Sequence, residues 1–131
     1  MAKPKAKKQA ARSRKFRRAR GGSRSSRRAR SAKLPKEAVT LIVLLRPRDG
    51  QEMILEAELR ALVSPTRKED GCLTYDLHRS ADGPSSFLLH EVWASRDAHA
   101  RHTNTPHFLR WNARKDALLA SRDASFWKLV V

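Results

Sequence analysis

The sequence predicts a small α+β domain behind a strongly basic leading segment, and three observations carry that reading. Charge is divided sharply: residues 1–36 hold seven Lys, nine Arg and no acidic residue, whereas residues 37–131 hold thirteen basic and thirteen acidic side chains. Seven of the eight aromatic residues lie in the second part, with only Phe16 in the first. From residue 38 onward the apolar positions recur with a period of either two or about 3.6, the signatures of strand and helix.

Taken in order, Ala38–Arg46 is β-branched and Leu-rich and nearly continuously apolar, as in a strand covered on both faces. Pro47-Arg48-Asp49-Gly50 breaks it. Leu55, Leu59, Leu62 and Val63 then recur at helical spacing within Gln51–Ser64, and Pro65 is expected to end that helix. Cys72–Arg79 alternates, with Leu73, Tyr75 and Leu77 expected on one face. A turn at Ala81-Asp82-Gly83-Pro84 leads to Ser86–Ala94, which sets Phe87, Leu89, Glu91 and Trp93 on one side. The two runs read as an antiparallel hairpin. Ser95 reads as the N-cap of a short helix through His102. Thr105-Pro106 opens another helix, with Phe108, Trp111, Leu118 and Leu119 on its buried side. Ser125–Val131 reads as a closing strand.

The order β-α-β-β-α-α-β is a ferredoxin-like arrangement whose second helix is split. In such a domain the helices cover one sheet face only. The apolar character of both faces of the first and third strands therefore predicts a second copy packed on the open face, a homodimer. The domain division expected is 1–36, a disordered Lys/Arg-rich tail, and 37–131, the compact domain.

Composition also bounds function. Cys72 is the single cysteine, which leaves no intramolecular disulfide framework and no multi-Cys metal site. No apolar run is long enough for a membrane span, and the basic start lacks the apolar segment of a secretory signal. These features place the expected protein in the cytoplasm.

The stretch Glu69-Asp70-Gly71-Cys72-Leu73-Thr74-Tyr75-Asp76-Leu77-His78-Arg79 resembles that of antibiotic-biosynthesis-monooxygenase-like domains. So do Phe87-Leu88-Leu89-His90-Glu91-Val92-Trp93, His102 seven residues after Ser95, and Pro106-His107-Phe108. The resemblance covers residues 38–131 and none of the tail. It implies a dimeric α+β barrel with a pocket between sheet and helices, and relatives that oxidise quinols or other hydroxylated aromatics with O₂ and no flavin, haem or metal.

Such chemistry needs an electron-rich aromatic substrate, a group that takes a phenolic proton, and exclusion of bulk water. His102, Trp93 and Glu91 are the candidate catalytic residues, and the resemblance matches Trp93 and His102 to a strand aromatic and a helix histidine at or near the pocket. His99, His107, Tyr75 and Leu89 are the candidate pocket residues. Glu91 has a structural alternative, an ion pair with Arg101 or Arg114. His99, His102 and His107 fit no established metal spacing, so no metal is expected, and the resemblance implies no cofactor. Haem-degrading relatives pair the helix histidine and strand tryptophan with a first-strand asparagine. Ile42 stands at that position here, which leaves haem degradation a third reading.

The tail offers a different function. Its runs, with Arg12, Arg14, Lys15, Arg17, Arg18 and Arg20 at the centre, would neutralise phosphates on nucleic acid without reading sequence. A non-enzymatic dimeric module tethered to nucleic acid is accordingly the alternative to a monooxygenase.

Overall fold

The computed structural model describes Lys33–Val131. The expectations for residues 1–32, including nucleic-acid binding through Arg12, Arg14, Lys15, Arg17, Arg18 and Arg20, lie outside the described residues.

Seven elements follow one another: β1 (Val39–Pro47), α1 (Glu52–Arg67), β2 (Cys72–Arg79), β3 (Phe87–Trp93), α2 (Arg96–His102), α3 (Pro106–Leu118) and β4 (Leu119–Trp127). The strands form one antiparallel sheet in the order β2-β3-β1-β4. The ferredoxin-like expectation is met. Alternate residues of β1 (Val39, Leu41, Val43 and Leu45) are buried together with Phe87, Leu89 and Trp93 of β3. Leu55, Leu59 and Leu62 of α1, Ala98 of α2 and Trp111 of α3 close the core from the other side. The intervening positions of β1 are less buried, and Leu44 is exposed.

Local chemistry accounts for the helix starts. The Ser95 hydroxyl accepts from the Ala98 N–H, and the Thr105 hydroxyl from the Phe108 N–H, with Pro106 in the first turn. Three expectations are corrected. First, α1 continues through Pro65 to Arg67. Proline removes one N–H, but so close to the end only one helical bond is lost. The turn is completed by Lys68 N–H on Pro65 O and Glu69 N–H on Thr66 O, while Leu62 and Thr66 are buried.

Second, β4 begins at Leu119, and Lys128–Val131 lie beyond it. Ser121-Arg122-Asp123 looks too polar for a strand, yet an edge strand tolerates polar side chains because its ladder to β1 carries the pairing. That ladder runs from Pro47 opposite Leu119 to Thr40 opposite Trp127. Third, Leu73 does not share the inward face of Tyr75. A register shift between Cys72 and Thr74 intervenes, and Leu73 is exposed while Tyr75 is buried.

One backbone contact fixes the loop between α1 and β2. Gly71 has φ +83°, and a Cβ added there would stand 2.6 Å from the Cβ of Ala98 in α2. Gly71 O also accepts from the Ala94 N–H at 2.8 Å. Gly50 has φ +80° but nothing within 4 Å of an added Cβ. Gly71→Ala is therefore expected to cost about 2–4 kcal/mol, from backbone strain plus overpacking. Gly50→Ala is expected to cost only about 1–2 kcal/mol, from backbone strain alone. Urea unfolding of both variants checks this, and equal costs would contradict the close packing of the loop on α2.

Candidate functional site

The fold brings β1, β2 and β3 against α2 and α3, and between them encloses a cavity of about 60 Å³. Strand alternation puts Tyr75, Leu89 and Glu91 on its wall, and α2 contributes His99 and His102. Phe108 and Trp111 of α3 close one side, and Arg122 of β4 reaches another. Of the residues singled out in the sequence, His102, Glu91, His99, Tyr75 and Leu89 meet at this cavity. Trp93 and His107 do not line it. Each stands behind a lining residue and contacts it or its partner.

Trp93 is fully buried and donates its indole N–H to Glu91 Oε2 at 2.8 Å. Its ring lies 4.8 Å from that of His102, centroid to centroid. Glu91 makes neither of the ion pairs weighed for it. Arg114 pairs with Glu58 at 2.7 Å, and Arg101 is exposed. Burial of Glu91, opposed by the Trp93 hydrogen bond and the charge of Arg122, pushes its pKa up from 4.5 to about 7.

His102 is held by a residue that the sequence left unassigned. Its Nδ1 lies 2.7 Å from Oε2 of Glu69, in the loop between α1 and β2, and His107 Nε2 lies 2.8 Å from the same oxygen. A carboxylate only accepts, so both ring nitrogens donate and His102 keeps Nε2 as its available nitrogen. Glu69 opens the segment that carries the family resemblance, but a turn-rich Glu-Asp-Gly reads as a solvated loop. The signal lay in the third dimension, where Gly71 packs the loop on α2. Glu69, His102 and His107 each place a ligand-type atom within 4.8 Å of the others. The short contacts are hydrogen bonds that use the N–H of both rings, so the cluster is a hydrogen-bonded triad.

Burial lowers the His102 pKa, and it does so against the hydrogen bond and charge of Glu69. His99 is lowered by burial and by His102 nearby. It stands edge-on to Trp93 and to Phe126 of β4, with the Arg96 guanidinium 4.0 Å above the Phe126 ring. Burial raises the Tyr75 hydroxyl, and it pushes the Cys72 thiol up to about 12, which removes Cys72 as a nucleophile near neutral pH. Two larger recesses lie elsewhere, one of about 660 Å³ beside α1 and β2 and one of about 510 Å³ on the open sheet face. Neither contains a buried acid or base.

The Glu91 shift has a consequence for stability. Its folded pKa is raised, so the native state retains a proton that the unfolded chain releases between pH 4.5 and about 7, and stability falls as pH rises through that window. Above it the ionised, buried carboxylate costs about 3 kcal/mol. Glu91→Gln should therefore unfold at higher urea than wild type at pH 8 and match it near pH 4. A difference between the two proteins that is independent of pH would contradict the buried, neutral carboxyl.

Comparison with known proteins agrees with this architecture. Residues 38–114 match the family model described as antibiotic biosynthesis monooxygenase. Rv0793 of Mycobacterium tuberculosis is 42% identical over 81 residues, 62% of this chain and 79% of that protein. The solved structure of PA3566 from Pseudomonas aeruginosa is 37% identical and superposes with a TM-score of 0.71, covering 76% of this chain and 100% of its own. SnoaB of Streptomyces nogalater, a cofactor-independent oxygenase, shares the fold with a TM-score of 0.64 at 19% identity, over 72% of this chain and 95% of its own. With a sheet, a cavity and a matched segment that coincide, the chain belongs to the antibiotic biosynthesis monooxygenase family.

Proposed function

We propose that this protein is an O₂-dependent, cofactor-independent monooxygenase of hydroxylated aromatics or quinols, acting in the cytoplasm as a homodimer. The observation that carries the reading is the pairing of groups at the cavity: an imidazole held by a carboxylate, and a buried carboxyl whose pKa lies near neutrality. Two titratable groups whose ordinary pKa order their surroundings invert, the carboxyl raised and the imidazole lowered, supply an acid and a base at one pH.

In this reading His102 Nε2 takes the proton of a phenolic hydroxyl, and Glu69 stabilises the imidazolium that results. The phenolate, now electron-rich, transfers one electron to O₂, the radical pair combines to a peroxide anion on the ring, and the His102 imidazolium returns its proton to give the hydroperoxide. Loss of the ring C–H proton to the freed His102 Nε2 breaks the O–O bond, expels hydroxide and leaves a quinone. Glu91, whose pKa is raised to about 7, gives its proton to the departing hydroxide and regains one as His102 returns to the free base. One oxygen atom stays on the ring and the other leaves as water with the two hydrogens lost by the substrate. The apolar walls, Leu41, Val43, Leu89 and Trp111, keep bulk water from the intermediate.

The ligand-free cavity has room for about two water molecules, so an aromatic ring enters only by displacing side chains at its rim. Thr103, Phe108 and His99 are partly exposed there, and Arg122 is exposed. Support for the homodimer comes from the open sheet face, where Ile42, Leu44 and Leu88 line a groove that a second copy would cover.

Oxygen uptake with a panel of dihydroxynaphthalenes, with chelator and no added flavin or haem, tests the reaction. Turnover is expected to fall about 10²–10⁴-fold in His102→Gln, the loss typical of a general base. Trp93→Phe, which keeps the packing and loses the N–H to Glu91, should lower it less. Uptake no faster than autoxidation in the wild-type protein would overturn the reading.

A further inference from the structure

The cavity accounts for one side of His102; on the other side Glu69 joins it to His107, a histidine that the reaction above does not use. Glu69 Oε2 receives two short hydrogen bonds, from His102 Nδ1 at 2.7 Å and from His107 Nε2 at 2.8 Å. Their burial is graded: the side chain of His102 is 2% exposed, and those of His107 and Glu69 are 13% and 14% exposed. The triad therefore runs from an enclosed cavity toward solvent.

Thr105 settles the state of the outer ring. Its Oγ1 lies 3.2 Å from His107 Nε2, but its single proton goes to the His102 carbonyl at 2.7 Å. Facing His107 it accepts. His107 thus carries hydrogen on Nε2 whether neutral or charged, and exchanges its second proton at Nδ1. His102 by the same logic carries hydrogen on Nδ1 and exchanges at Nε2. The two exchanging nitrogens belong to rings joined through one carboxylate oxygen.

The ring centroids of His102 and His107 are 5.9 Å apart, close enough for a charge on one to oppose a charge on the other. Burial makes the enclosed His102 less ready to bear a charge. The other neighbours of His102 are Trp93, Phe108 and Tyr75 from β3, α3 and β2, with His99 on its own helix. Glu91 and Arg122 line the same cavity. His107 is thus the one titratable neighbour that shares the carboxylate with His102.

We propose that His102, Glu69 and His107 form a two-histidine charge relay, in which uptake of a substrate proton at His102 is matched by release of a proton from His107 to solvent. Glu69 stays a carboxylate throughout. The proton on His102 Nε2 comes from the substrate hydroxyl, and the one leaving His107 Nδ1 passes to water, so the charge of the triad is unchanged. His107 is a positioning residue in this scheme and touches no substrate. The electrostatic influence of His107 on His102, which lowers its pKa, agrees with the scheme. The role as a relay for catalysis rests on the reading of His102 as the base.

Histidine ring titrations by NMR on the full chain test the coupling without any substrate. His107→Gln keeps an N–H for Glu69 and removes the charge; it should move the His102 midpoint to higher pH. Glu69→Gln should move it to lower pH. A His102 midpoint in His107→Gln that coincides with wild type would overturn the relay. Where dihydroxynaphthalene turnover is measurable, the acid limb of its pH profile should move up with that midpoint in His107→Gln, and an unmoved limb would equally overturn it. Absence of turnover in the wild type would remove the monooxygenase reading alone, because the ring titrations are read separately.

Discussion

The arrangement depends on one carboxylate placed where three segments meet. Glu69 belongs to the loop between α1 and β2, His102 ends α2, and His107 lies in the first turn of α3. Two charge-assisted hydrogen bonds in a site shielded from water join them, and removing one partner of such a group characteristically costs about 3–5 kcal/mol. The loop reaches α2 because Gly71 lets the backbone approach the Cβ of Ala98. A glycine with positive φ, a short helix and a carboxylate are therefore one structural unit. The orientation of the cavity histidine follows from it.

The same shielding explains the chemistry at the cavity. A group removed from water resists its charged form, so burial moves Glu91 up and His102 down. Each is offset by a partner: the Trp93 N–H for Glu91, and Glu69 for His102. The outcome is a carboxyl and an imidazole lining one cavity, each favoured in its neutral form by burial, which a site open to solvent would not do. Trp93 links the two, bonded to Glu91 and packed on the His102 ring.

Much of this was legible in the residues, and what was not has physical reasons. β2 was expected at Cys72–Arg79 and is found there, and both N-caps fall on the predicted Ser95 and Thr105. These features are local, set by alternation and by side-chain oxygens next to their own backbone. β4 was placed too late because its first half is stabilised by a partner strand some eighty residues away in sequence. Pro65 was read as a stop, but burial of Leu62 and Thr66 outweighs one lost helical bond. At the site, His102, Glu91, His99, Tyr75 and Leu89 were named and do meet. Trp93, named as catalytic at or near the pocket, and His107, named for the pocket, stand behind its lining, a distinction that periodicity does not contain. Glu69 was missed because an acidic residue in a turn-rich loop is ordinarily a solvated one.

The central claim is that Glu69 fixes His102 as the Nδ1–H tautomer, with Nε2 free for a proton from the cavity. Long-range ¹H–¹⁵N correlation of the histidine rings in the neutral protein reads this directly. A protonated-type Nδ1 and an unprotonated-type Nε2 for His102 is the result the structure predicts. The opposite pattern, with the proton on Nε2, would contradict the account, since the nitrogen required as the base would already be occupied.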